Sequence, residues 1–130
     1  MYRAVTNGIQ VTVTPRFLAD RSSAEDNRFF WAYTIEIVNL SKVTVQLKNR
    51  HWRITDGRGQ RQEVRGPGVV GEQPVLKPGE RFEYTSGVPL STPTGLMAGH
   101  YEMVAESGER FEVEVPAFSL DSPHATRVLH

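Results

Sequence analysis

The sequence predicts an all-β domain built from two antiparallel sheets packed face to face. Three observations point there. Short runs of β-branched and aromatic residues alternate with polar ones at a period of two. Clusters rich in glycine and proline separate these runs. No stretch repeats its apolar residues with the 3.6-residue period of an amphipathic helix. Strands this short and turns this frequent, in a chain of 130 residues, fit a two-sheet sandwich.

Each element follows in turn. Ile9, Val11 and Val13 alternate with Gln10, Thr12 and Thr14, a half-buried strand followed by Pro15. Residues 19–28 are polar, have nothing to bury, and read as a mobile loop. Phe29, Trp31, Tyr33, Ile35 and Ile37 form the clearest alternation in the chain. Leu40-Ser41-Lys42 interrupts it, and Val43, Val45 and Leu47 resume it. The apolar phase then shifts before Trp52 and Ile54, which predicts a β-bulge near Lys48-Asn49-Arg50. Asp56-Gly57-Arg58-Gly59 is a hairpin turn signal. Phe82 and Tyr84 mark a further strand, and a connection rich in Thr, Pro and Gly runs to Gly95. Tyr101, Met103 and Ala105 mark the next strand, Ser107-Gly108 a turn, and Phe111, Val113 and Val115 the last strand, ending before Pro116. Residues 1–130 thus read as one domain with an irregular tail from about 119 to 130.

Composition narrows the function classes. Lys+Arg and Asp+Glu each number 15, so no global field draws the chain to nucleic acid or membrane. The charge is nevertheless divided. Residues 1–65 carry 11 basic and 6 acidic side chains and residues 66–130 carry 4 and 9, formal charges of +5 and −5. The absence of cysteine removes disulfides, thiolate catalysis and thiolate metal sites together. Residues 1–8 contain no apolar h-region and no run approaches membrane-spanning length, so a cytoplasmic location is expected. Without an export signal, the Asn39-Leu40-Ser41 glycosylation sequon reads as a chance match.

Two corners sharpen the fold class to a fibronectin-III- or immunoglobulin-like sandwich. Tyr101 follows Gly99 by two residues and Leu96 by five, a spacing that suggests a tyrosine corner as a strand opens. Leu76-Lys77-Pro78-Gly79-Glu80-Arg81-Phe82 has the make-up of a strand-to-strand corner. In that topology the basic strand Lys48–Arg53 shares a sheet with strands carrying Glu102, Glu106, Glu112 and Glu114. Ion pairing between them would account for the divided charge.

The blocks Trp52-x-Ile54-x-Asp56, Val64-x-Gly66-x-Gly68-Val69-Val70-Gly71-Glu72-Gln73-Pro74, Leu76-x-Pro78-Gly79, Phe82-x-Tyr84-x-Ser86-Gly87 and Gly95-x-Met97-x-Gly99-x-Tyr101-x-Met103 resemble the ApaG family over nearly the whole chain. The resemblance implies a fibronectin-III-like sandwich in a small bacterial cytoplasmic protein. A second family name, CorD, implies an association with cobalt resistance and magnesium efflux. Related domains in eukaryotic F-box and DNA-polymerase-delta-interacting proteins look like protein-recognition modules. The resemblance brings no reaction with it.

Gly66, Gly68 and Gly71 fit the pattern G-x-G-x-x-G, but Gln73-Pro74-Val75-Leu76 is extended where a dinucleotide site needs a helix. The glycines therefore read first as positions of positive φ or close packing, and second as a backbone cradle for pyrophosphate. Arg65 would assist such an anion and Glu72 would repel it. Val69 and Val70 either fold back onto the sheet or face a partner. The histidines His51, His100, His124 and His130, with Asp56, Glu72 and Asp121, show no chelating spacing. Ser86, Ser91, His100 and Asp56 lack any nucleophile-elbow motif. Arg50, Arg53, Arg58, Arg61 and Arg65 read as a solvated face, with Trp52 in phase with the core.

The expected function is a non-enzymatic module that recognises another protein through Arg65, Gly66, Gly68, Val69, Val70, Gly71, Glu72 and Gln73 and the adjoining strands. The alternative is a nucleotide-, pyrophosphate- or metal-binding module using the Gly66–Gly71 loop. No catalytic residue, metal ligand or cofactor is assigned. Homodimerisation is left open, nucleic acid is disfavoured and no membrane contact is expected.

Overall fold

The computed structural model describes residues 1–124. The strands are β1 (Tyr2–Thr6), β2 (Ile9–Phe17), β3 (Phe29–Asn39), β4 (Val45–Asp56), β5 (Arg61–Pro67), β6 (Val75–Leu76), β7 (Arg81–Leu90), β8 (Gly95–Ala105) and β9 (Arg110–Leu120). One antiparallel sheet has the order β1-β2-β3-β7; the other has β5-β4-β8-β9, with β6 also pairing with β4. The predicted two-sheet sandwich is the observed fold. Among the described residues, the single helical element is a 3-10 turn at Ala19–Arg21. None of their helices is long and apolar enough to cross a membrane.

The inward-facing alternation builds the core. Val11, Val13, Trp31, Ile35 and Ile37 from one sheet meet Leu47, Trp52, Met103, Val113 and Phe118 from the other. The predicted phase shift is a real bulge: the β4–β8 register slips between Leu47 and Asn49. Trp52 then lies in phase with Ile54 as expected, and both are buried. The turn at Asp56 also forms, with its Oδ1 accepting the N–H groups of Arg58 and Gln60, each at 2.9 Å.

Several boundaries run further than the sequence predicts. β2 continues through Pro15 to Phe17 because β1 pairs only as far as Val13, so no β1 partner lies opposite the proline's missing donor. β9 likewise passes Pro116 to Leu120, the register slipping between Met97 and Gly99 opposite it. The tail therefore begins after Leu120 rather than near 119. β1 itself carried no alternation that reasoning on the sequence detected. The polar segment 19–28 is folded on itself, its Ser23 N–H donating to the Arg28 carbonyl at 2.7 Å.

The corner at Leu76–Phe82 does carry the chain between sheets, from β6 to β7, with Gly79 at φ +84°. The tyrosine corner does not form. Tyr101 stands in mid-strand, fully buried, and its hydroxyl pairs with that of Tyr84 across the sandwich. Burial raises the pKa of both phenols above 10.0. Asn39 of the sequon is also fully buried. Its Nδ2 donates to the carbonyls of Val43 and Leu76, and its Oδ1 accepts from the N–H and hydroxyl of Ser41.

The expected ion pairing between β4 and the acidic strands is replaced by other contacts. The bulge puts Asn49 opposite Glu102, where Nδ2 donates to Oε1 at 2.8 Å. Glu102 takes its ion pair from Arg110 instead, at 2.9 Å. Arg50 turns to a different task, described next.

Candidate partner-binding cleft

The bulge at Lys48 organises the glycine loop. Its carbonyl accepts the Gly68 N–H at 2.8 Å and the Gln73 side-chain amide at 2.9 Å. Past the bulge, Arg50 points to the same side as Trp52, and its Nη1 donates to the carbonyls of Pro67 and Gly68, both at 2.9 Å. Gly66 gives that guanidinium room, since a Cβ there would lie 3.0 Å from Arg50 Nη2. At Gly68, with φ +62°, a Cβ would strike the Glu72 carbonyl oxygen. Packing and positive φ thus explain Gly68 without a ligand, and the arginine clamp fits over Gly66.

Val69 and Glu72 exchange both backbone hydrogen bonds, each at 2.8 Å, closing a two-residue hairpin over Val70 and Gly71. Both central residues have positive φ, +44° and +79°, as in a type I′ turn. That geometry normally selects Asn or Gly at the first corner. A β-branched valine there is strained by about 1–3 kcal/mol. The two valines divide between the expected alternatives. Val69 is 1% exposed and belongs to the core, whereas Val70 is 55% exposed. No helix follows Gly71, and the N–H groups of Gly68, Val69 and Glu72 are spent on backbone carbonyls.

Val70 and Gly71 border a cleft of about 380 Å³ between the two sheets. Its walls are the inner faces of β4 and β5 (Trp52, Ile54, Val64) and of β3 and β7 (Tyr33, Ser86, Val88). Arg50, Tyr84 and the Val70 turn stand toward one end, with Ile54, Gln62 and Pro89 toward the other. Burial raises the pKa of Tyr33, an effect partly opposed by the Ser86 hydroxyl and the Arg50 guanidinium. Of the residues expected in the site, Val69, Val70 and Gly71 line this cleft. Arg65 and Gly66 instead line a groove on the outer face of the sheet, and Arg50 reaches both. Glu72 and Gln73 are exposed at the neck of the loop.

The outer face holds a cluster that spacing in the sequence did not reveal. His51 and His100 are register partners on β4 and β8, their rings edge-on at 4.9 Å. His51 Nε2 faces Glu63 at 3.1 Å and His100 Nε2 faces Glu112 at 3.5 Å. The remaining metal candidates are dispersed. Asp56 is engaged in its turn, and His124 packs against Phe17 and Phe29. His130 lies outside the described residues. Among the described residues, no three His, Asp or Glu side chains are grouped to hold a metal ion. Nor do the nominated Ser86, Ser91, His100 and Asp56 form a triad. Asp56 pairs with Gly95 on β8, about 17 Å along the strand from His100.

The sequence profile of the ApaG domain matches residues 19–105. The chain belongs to the ApaG family. It is 69% identical to a Protein ApaG of Azorhizobium caulinodans and 66% identical to one of Bradyrhizobium diazoefficiens, in both cases over the full length of each chain. A crystal structure of a protein designated ApaA from Bordetella pertussis superposes with a TM-score of 0.87 at 49% identity, covering 90% of this chain and 95% of that one. An Archaeoglobus fulgidus protein with a TM-score of 0.53 at 10% identity shares the fold alone. The ApaG resemblance in the sequence is thereby established, and the Bordetella pertussis protein shares the sandwich.

The cleft residues that reasoning on the sequence missed are Arg50, Tyr33, Tyr84 and Ser86. Arg50 carried a legible signal, because the phase shift that predicts the bulge also turns its side chain inward. The other three alternate normally on their strands, and nothing local says that their face borders an opening.

Proposed function

We propose that this ApaG-family protein is a non-enzymatic recognition module that receives an extended segment of a partner protein in the cleft between β5 and β7. One observation carries the reading: an exposed valine is held in strained geometry at the rim of a cleft lined by both apolar and polar side chains. Strain of this kind persists where the surrounding structure over-determines it, and it concentrates at contact and switch sites. Here the over-determination comes from the Lys48 carbonyl and the Arg50 clamp. β5 pairs only with β4, and β7 only with β3, so each offers an unpaired edge for a partner strand. Any influence on divalent-cation tolerance would act through that partner.

The test is capture from the native host with wild type and Val70→Ser, followed by mass-spectrometric identification. Val70→Ser leaves the buried Val69 intact and should abolish recovery of one or more specific partners while the melting temperature stays unchanged. Equal recovery by both proteins would reject the cleft. Saturable amide shifts centred on the loop with diadenosine tetraphosphate, ATP, Mg²⁺ or Co²⁺ would favour the small-molecule alternative instead.

A further inference from the structure

We infer that the occupant of the cleft is a chain terminus, an apolar extended segment whose free C-terminal carboxylate is held by Arg50. This deepens the recognition reading above and rests on it. Arg50 is a half-buried cation facing inward with no carboxylate within ion-pair distance among the described residues. Its Nη1 is committed to two loop carbonyls. That clamp fixes the guanidinium plane and leaves Nε and Nη2 as donors, the fork suited to a carboxylate.

The surroundings add donors and no competing acid. The hydroxyls of Tyr33 and Ser86 lie on the opposite wall, and the cleft lining contains no Asp or Glu. The N–H groups of Val70 and Gly71 donate to no acceptor among the described residues. Two backbone donors and a guanidinium at one end, two hydroxyls on the opposite wall and no acid in the lining are complementary to an anion arriving behind apolar side chains. Position favours the terminus over an acidic side chain. The Val70 turn stands at the Arg50 end, so a segment that enters from the Ile54 end and runs toward Arg50 ends there. From Arg50 to Ile54 the strand spans about 13 Å, enough for about four extended residues.

The experiment titrates ¹⁵N-labelled full-length protein with two pools of synthetic hexapeptides. Both alternate Val or Leu with uncharged polar residues and lack Asp and Glu; one ends in a free carboxylate, the other in an amide. The free-acid pool should bind at least about tenfold more tightly, with shifts at the Val70 and Gly71 amides and the Arg50 side chain. Arg50→Lys keeps the charge and loses the fork. It should erase most of that preference, read as the ratio of the two pools' affinities within each protein because Arg50 also holds the loop. Equal binding of the two pools at the cleft would overturn the carboxylate anchor and leave the recognition reading standing. Binding of neither would also overturn the anchor, and the Val70→Ser capture would then judge the recognition reading by itself. Shifts at these signals with inorganic pyrophosphate, in the absence of any with the free-acid pool, would overturn the peptide terminus as occupant.

Discussion

Where β9 approaches β1 and β2, the two sheets pack together along their length, and side chains tie the margin shut. Thr6 Oγ1 accepts the Glu114 N–H at 3.2 Å, and the Tyr2 hydroxyl accepts the Ser119 N–H at 3.3 Å. Phe118, fully buried, packs tilted or edge-on against Tyr2 of this margin and against Tyr33 and Trp52, which also wall the cleft. Where β5 faces β7, the same architecture parts into a cleft, and the nearest loop carries a strained, exposed valine. The closed margin holds the fold together; the open one is tied back by Arg50 and Lys48. Among the described residues, the one β-branched residue held at positive φ lies on the side where burial is incomplete.

The largest effect that would test this contrast lies on the closed margin. Phe118→Ala should cost about 3–5 kcal/mol in urea unfolding, because it empties a fully buried site packed by three aromatic rings. A loss below about 1 kcal/mol would mean that this margin is not the anchor.

The Tyr84–Tyr101 pair joins the cleft to the core beneath and should behave asymmetrically. Tyr101→Phe leaves the buried Tyr84 hydroxyl without its partner and should cost about 1–3 kcal/mol. Replacing both by Phe should cost less than the sum of the single replacements, as read from a double-mutant cycle. The same pair sets an alkaline limit. Burial raises both folded-state pKa values, so the unfolded chain releases these protons first as pH climbs past 10.0. Their contribution is complete below that pH and declines above it. The doubly substituted protein should show a flatter stability profile as pH rises above 10.0.

Val70→Gly gives the smallest change in stability and the sharpest separation of the two margins. It relieves a positive φ, so unfolding should show no loss and a gain of up to about 1 kcal/mol. Partner capture should fall nonetheless. A clear loss of stability would show that Val70 packs as core.

The alternating strands, the bulge and the Asp56 turn were legible because each leaves a local mark in side-chain phase or turn chemistry. The tyrosine corner was misread for a comparable reason. Gly99 precedes Tyr101 by two residues, but its role is to let the His51 carbonyl and the Trp52 ring approach β8. A glycine required by a neighbouring strand looks the same in sequence as one required by a corner. The cleft and the His51–His100 contact depend on which strands end at the margins and on inter-strand register. Both are products of long-range pairing that no local window contains. The divided charge was legible as a fact and misassigned as a contact, because one extra residue at Lys48 rotated Arg50 away from the acidic strands.

The burial of Asn39 has a practical consequence for production in eukaryotic secretory hosts. Oligosaccharyltransferase acts on the chain before it folds, and a glycan attached at Asn39 would have no space in a site enclosed by Val43, Leu76 and Ser41. Each modified molecule would be excluded from the native state and sent to quality control. Secreted material should therefore be recovered only in its sugar-free form, and Ser41→Ala, which removes the sequon, should raise the yield even though it deletes three native hydrogen bonds to Asn39 and Val43.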